Sequence, residues 1–161
     1  MAEIIKVGMA DMNVCASPDG ITTLGLGSCV GVVLYDSVSK ICGMVHVMLP
    51  DSTAVRNNSN IAKFADTGIK ELLKRLEAKG VSRVRLKAKI AGGAQMFAFN
   101  SESEMMRIGD RNVEACKKIL KDLQIPIVSE DTGLNYGRTV TFYPETSDYE
   151  IKAVGKPIKV I

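Results

Sequence analysis

A cysteine and the chain's single histidine are the residue types able to do covalent chemistry together. Cys29 stands in "LGLGSCVGVVLYD" (24–36), behind Gly25 and Gly27, and His46 stands in "GMVHVMLPD" (43–51). Glycines before a nucleophile let the backbone take φ > 0 and approach a ligand closely. Backbone N–H groups around Gly27, Ser28 and Cys29 could then hold a tetrahedral oxyanion. An imidazole beside the thiol predicts a mutually stabilised pair, with the thiol pKa lowered and the histidine's raised. On that reading Cys29 alkylates faster than Cys15, Cys42 or Cys116. Cys42 and Cys116 fit core packing, Cys116 on the apolar face of a helix.

A histidine base needs an acceptor to orient its second nitrogen. Asp131 in "SEDTG", Asp36, Asp51 and Thr23 all qualify by type, and spacing does not choose among them. Thr23 shares the glycine-rich segment with Cys29.

Two strands must bring the pair together. "CVGVVLYD" (29–36) and "ICGMVHVML" (41–49) read as buried strands joined by a connection of hairpin length. An antiparallel pairing sets the start of the first beside the end of the second, near His46. Alternation puts Met44, His46 and Met48 on one face and Val45 and Val47 on the other. Elsewhere, residues 4–15 read as one or two short strands, and "DSTAVRNNSN" (51–60) as a surface loop. One amphipathic helix is predicted over 61–79, ended by Gly80, and a second over 110–123. Strands are predicted at 84–91 and 126–130, followed by a hairpin of "RTVTFYP" with "YEIKAVG". Many strands with two long helices predict a single α+β domain on mixed sheets over residues 1–161.

Composition narrows the function classes. Hydrophobic content of 46% and charged content of 24% are ordinary globular values. A net charge of +3 with dispersed lysines and no Trp gives no basic, aromatic stripe for nucleic acid. No apolar run reaches the roughly 18 residues that span a bilayer, and the N-terminal stretch does not read as a signal peptide. The expectation is therefore a cytoplasmic protein with reduced thiols and no direct membrane insertion. No C-x-x-C pair and a single histidine argue against a metal site, no phosphate-binding glycine loop follows a strand, and no cofactor is expected.

"TTLGLGSCVGVVLYD", "GMVHVMLPDS", "AKFADTGIKELL", "KAKIAGGAQMF", "IGDRNVEACKKIL" and "SEDTGLNYGRTV" together resemble the CheD family, the chemoreceptor glutamine deamidases of bacteria and archaea. The turn "DTGLNYGR" departs locally from the family pattern. The resemblance implies a layered sandwich of mixed β-sheets flanked by helices, similar to toxin-type cysteine glutamine deamidases. It also implies a Cys-His-Thr triad of Cys29, His46 and Thr23, acting on glutamines of methyl-accepting chemotaxis receptors through a thioester. A second implied role is binding and stimulating a CheC-type phosphatase of phosphorylated CheY, with recruitment to receptor arrays. A mainly non-catalytic adaptor and a cysteine protease are the rival readings. "AGGAQMFAF" (91–99) sets Met96 and Phe97 after a glycine turn, an expected partner-binding surface.

Overall fold

The computed structural model describes residues 2–95 and 107–161. Met96 and Phe97, expected at a partner surface, lie outside the described residues. Ten strands are described: β1 (Ile4–Val7), β2 (Met12–Ala16), β3 (Gly20–Leu26), β4 (Val30–Asp36), β5 (Ile41–Val47), β6 (Lys87–Gly92), β7 (Ile127–Thr132), β8 (Arg138–Tyr143), β9 (Asp148–Lys152) and β10 (Lys159–Val160). Two helices accompany them, α1 (Ala65–Ala78) and α2 (Ile108–Asp122).

The strands form two five-stranded sheets, ordered β1-β3-β8-β9-β10 and β2-β5-β4-β6-β7. Both are mixed: β1–β3 and β6–β7 run parallel and the other pairs antiparallel. β4 explains the layering. Its seven residues are all buried, as a strand covered on both faces must be. Val30, Val32 and Leu34 join a core with Ile69, Leu72 and Leu76 of α1 and Val113, Cys116 and Leu120 of α2. Val33 and Tyr35 point the other way, into a core with Ile21, Val140, Phe142 and Tyr149 of the first sheet. The result is helices, sheet, sheet: an α+β sandwich of mixed sheets whose helices cover one outer face.

Most elements fall where periodicity puts them. β4 and β5 form the expected antiparallel pair, in register from Val30↔Val47 to Asp36↔Ile41. β8 and β9 form the expected second hairpin. Two differences have local causes. The helix expected from residue 61 starts at Ala65, after a 3-10 turn over Ile61–Lys63 that the Asn60 side chain caps. Between them Phe64 is extended and fully buried, bridged to Leu49, so burying its ring breaks the helical run.

The other difference is β3, a strand that runs on through the glycine-rich segment "TTLGLGSCV", for which no strand is expected from the sequence. Its register against β8 shifts between Thr23 and Leu26, and Gly25 takes φ +71° there. A bulge thus absorbs the glycine while the strand continues. The chain then crosses from the first sheet to the second through Gly27, Ser28 and Cys29. Gly92 and Gly93 pack behind that crossing. The Gly93 N–H donates to the Cys29 carbonyl at 2.8 Å, and the Ala94 N–H to that of Gly27 at 2.8 Å. A Cβ on Gly92, at φ +108°, would stand 2.2 Å from the Cys29 carbonyl oxygen.

Gly92→Ala is expected to destabilise the fold by about 2–3 kcal/mol, through backbone strain and that clash, and to disturb Cys29 directly. Cys116→Ala, in the helix-facing core, is expected to cost about 1 kcal/mol and to leave the site intact. Denaturant midpoints of the two variants check both values.

Candidate active site

His46 extends from β5 into the space between the sheets, on the same face as Met44. Its ring meets Thr23 of β3, in the opposite sheet: Thr23 Oγ1 lies 2.8 Å from His46 Nδ1. Thr23 Oγ1 also donates to the Val7 carbonyl at 2.7 Å. A hydroxyl carries one proton, and a carbonyl can only accept. The Thr23 proton therefore goes to Val7, and Nδ1–H donates to the hydroxyl. That assigns the neutral histidine its tautomer and leaves Nε2 as an acceptor with a free lone pair. Nε2 is buried and has no hydrogen-bond partner among the described residues.

Cys29 enters the same layer. It lies one residue before Val30 and packs in the inter-sheet core with Leu26, Met44 and Met48. Continuing the β4–β5 register sets it opposite Met48, diagonal to His46 on the same face. Gly31 stands directly opposite His46 and contributes no side chain there. Thr23 is 1% exposed, His46 0% and Cys29 7%, so Cys29 is the least buried residue of the three.

The glycine-rich crossing differs from expectation in one detail. The Gly27 N–H is already donated to the Gly25 carbonyl at 3.1 Å, so Gly27 is no free oxyanion donor. It shapes the crossing instead. The N–H groups of Ser28 and Cys29 donate to no described residue.

The expected ion pair is also corrected. Burial pushes the Cys29 thiol up from its ordinary value and pulls His46 down. Low dielectric disfavours both charged forms, so the resting pair is thiol and neutral imidazole. Cys15 faces Cys42 across β2 and β5 with the sulfurs 3.5 Å apart. A hydrogen bond between them lowers half-buried Cys15, while Cys42 is driven up by that bond and by burial. Burial pushes Cys116 up to about 12.

The rival orienters are engaged elsewhere. Asp36 binds Arg85 and Ser39, and Asp51 caps the turn at Thr53. Asp131 is held by Arg138 at 2.9 Å and Lys159 at 3.1 Å. Burial alone would raise the Asp131 carboxyl, but these bonds and charges outweigh it and hold it low. A groove of about 570 Å³ beside the β3 bulge is lined by Tyr136, Arg138, Lys152 and Lys156 and includes neither Cys29 nor His46. Among the described residues no cluster of three or more His, Cys, Asp or Glu could hold a metal ion. No described helix is long and apolar enough to cross a membrane.

The backing glycines Gly92 and Gly93 were the part of the site that motif reading passed over. Their signal was the "GG" pair closing a buried strand, a mark of close backbone approach.

Comparison with known proteins decides the family. Residues 48–153 match the family model for CheD chemotactic sensory transduction. The chain belongs to the CheD family. That match begins beyond Thr23, Cys29 and His46, but full-length relatives cover them. The chain is 68% identical over all 161 residues to the probable chemoreceptor glutamine deamidase CheD of Lachnoclostridium phytofermentans, covering 100% of each. It is 56% identical to the chemoreceptor glutamine deamidase CheD of Halalkalibacterium halodurans, again over 100% of each chain. Among solved structures, a Neisseria meningitidis protein of the DUF152 family superposes with a TM-score of 0.50 at 10% identity. That likeness covers 83% of this chain and 64% of the other, and it supports the layered fold alone.

Two outcomes are expected of this CheD chain. In the folded protein near neutral pH, iodoacetamide should label Cys15 before Cys29, and Cys42 and Cys116 last; Cys29 reacting first would restore the ion pair. Asp131→Asn should cost about 3–5 kcal/mol, because it strands the buried Arg138 guanidinium. In the unmodified protein, the depressed Asp131 stabilises the fold above its ordinary value of 3.8, and that contribution disappears as pH falls through the lower folded value. Chemical denaturation against pH measures both.

Proposed function

We propose that this CheD chain hydrolyses the side-chain amide of glutamines on chemotaxis receptors, with Cys29 as nucleophile, His46 as general base and acid, and Thr23 as the group that orients the imidazole. The observation that carries the reading is the unpartnered, buried Nε2 of His46, whose opposite nitrogen is held as a donor by Thr23. A lone structural histidine in a core would have both nitrogens satisfied. The names of the full-length relatives support the substrate class.

The chemistry follows from the neutral resting pair. As Cys29 Sγ attacks the amide carbon, His46 Nε2 takes the thiol proton, so charge separates only when substrate is present. The N–H groups of Ser28 and Cys29 are suited to receive the oxyanion. Collapse breaks the C–N bond while imidazolium gives its proton to the departing nitrogen, which leaves as ammonia. The glutamyl thioester remains on Cys29. Nε2 then takes a proton from water as its oxygen attacks the thioester carbon, and the released thiolate recovers that proton. The product is glutamate, and the thiol is restored. Thr23 adds no charge and acts through geometry alone. Each turnover leaves a carboxylate where a neutral amide stood on the receptor.

CheC binding and recruitment to receptor arrays belong to the same proposal as partner functions. They rest on the family resemblance and on the Met96–Phe97 segment; Phe97→Asp weakening CheC affinity without unfolding would support them, and unchanged affinity would count against them.

Mass spectrometry of a receptor cytoplasmic fragment incubated with the protein should find glutamine converted to glutamate at discrete positions without backbone cleavage. Peptide cleavage would favour the protease reading. Cys29→Ala should abolish the conversion. Thr23→Ala should lower turnover by on the order of tenfold to a thousandfold, because the ring loses its orientation, while Thr23→Ser keeps much of the activity. The rate–pH profile should show an acid limb below the ordinary histidine value of 6.5 and an alkaline limb above the ordinary thiol value of 9.0. Activity falling as pH rises through a histidine value above 6.5, well short of the thiol's 9.0, would mean that His46 works as a stabilised cation.

A further inference from the structure

Asn112 lies on α2, fully buried on the helix-facing side of the second sheet, four residues before the core residue Cys116. Its side-chain amide donates to two carbonyls, that of Ser28 at 2.9 Å and that of Met48 at 3.0 Å. Two carbonyl partners settle which end of the amide is nitrogen, since neither can donate. Ser28 adjoins Cys29, and Met48 follows His46 by two residues. One amide thus ties the entry to β4 to the exit from β5. Its Oδ1 is buried without a partner among the described residues. An orphaned buried acceptor costs stability, and an apolar side chain of similar size would avoid that cost. The position is therefore poorly explained by packing alone.

The geometry of one peptide unit supplies a reason. In a trans peptide the C=O and the following N–H point in opposite directions. The bond Ser28–Cys29 is not among the cis peptides of the described chain. Asn112 draws the Ser28 carbonyl toward the helix layer, so the Cys29 N–H points the other way, into the inter-sheet layer that holds His46.

Resting on the reading of Cys29 as nucleophile, we propose that Asn112 is a positioning residue for the deamidation: it locks the Ser28–Cys29 peptide so that the Cys29 N–H faces the developing oxyanion. The second bond, to Met48, keeps that peptide at a set distance from the strand carrying His46. Asn112 touches no reacting atom. Its role ends at the orientation of one N–H group, which predicts a selective defect. Acyl transfer develops an oxyanion and needs that donor; alkylation of the same sulfur by iodoacetamide develops none and does not.

The experiment compares the two reactions in Asn112→Ala and Asn112→Ser. In Asn112→Ala, kcat for deamidation of a receptor fragment should fall by about tenfold to a hundredfold with KM little changed. The alkylation rate of Cys29 and its pH dependence should stay within about twofold of the unmodified protein. Asn112→Ser, which keeps one donor, should recover part of kcat. Deamidation within about twofold of the unmodified protein in folded Asn112→Ala overturns the proposal. So does an equal change in both reactions, which would mean a general disturbance of the site, and so does failure of both variants to fold. Cys29→Ala separates this from the parent reading. If that variant still deamidates, the nucleophile assignment fails; if it is inactive while Asn112→Ala is normal, only the role of Asn112 falls.

Discussion

The contact between Thr23 and His46 is the interaction on which the rest of this molecule depends. It joins the two sheets through a buried polar contact, and it does so with the hydrogen count fully determined. The Val7 carbonyl takes the hydroxyl proton, the hydroxyl takes the Nδ1 proton, and Nε2 is left with its lone pair. Three strands must be in register for this to happen: β1 for the carbonyl, β3 for the hydroxyl and β5 for the ring. The parallel pairing of Val7 with Thr23 sets the first two, and antiparallel pairing with β4 sets the third. A buried polar relay is costly if half-made, so the layer tolerates one arrangement.

Burial then decides the electrostatics. A thiolate–imidazolium pair would place two charges where the sheets exclude water, and both groups shift toward neutrality instead. The arrangement suits an enzyme that should not alkylate or oxidise readily while idle. In the proposed mechanism, charge separates only when a substrate carbonyl offers somewhere for it to go. Cys15, half-buried beside Cys42, shows the contrast: there a hydrogen-bonding neighbour lowers a thiol without any histidine.

The crossing between sheets carries the second constraint. Gly25 bulges β3, Gly27 closes on Gly25, and Gly92 and Gly93 pack against the Cys29 carbonyl where no side chain fits. Asn112 holds the far side of the same segment. Cys29 is thereby gripped through its backbone from two directions while its side chain packs in the inter-sheet layer. The proposed site lies in this seam between sheets. The helices contribute the core that keeps the second sheet rigid, and one amide.

Several features were legible in the amino-acid order because they depend on local pattern. Period-two alternation placed Met44, His46 and Met48 on one face, and hairpin length paired β4 with β5. Period-3.6 stripes located both helices to within a few residues. The family likewise followed from motifs in order along the chain. Other features required the tertiary structure, each for a long-range reason. Glycines in "TTLGLGSCV" argue locally for a turn, and only pairing with β1 and β8 makes that stretch a strand. Phe64 interrupts a helical pattern because Leu49 and a buried site await its ring. By type alone Asp131, Asp36, Asp51 and Thr23 were equal partners for His46, and sheet stacking chose the threonine while Arg138 claimed Asp131. The protonation of the pair follows the same rule: residue types suggest a charge partner, but desolvation is a property of the assembled layers. Sequence determined which groups were present and which face each would take; stacking the two sheets decided which of them met, and in what protonation state.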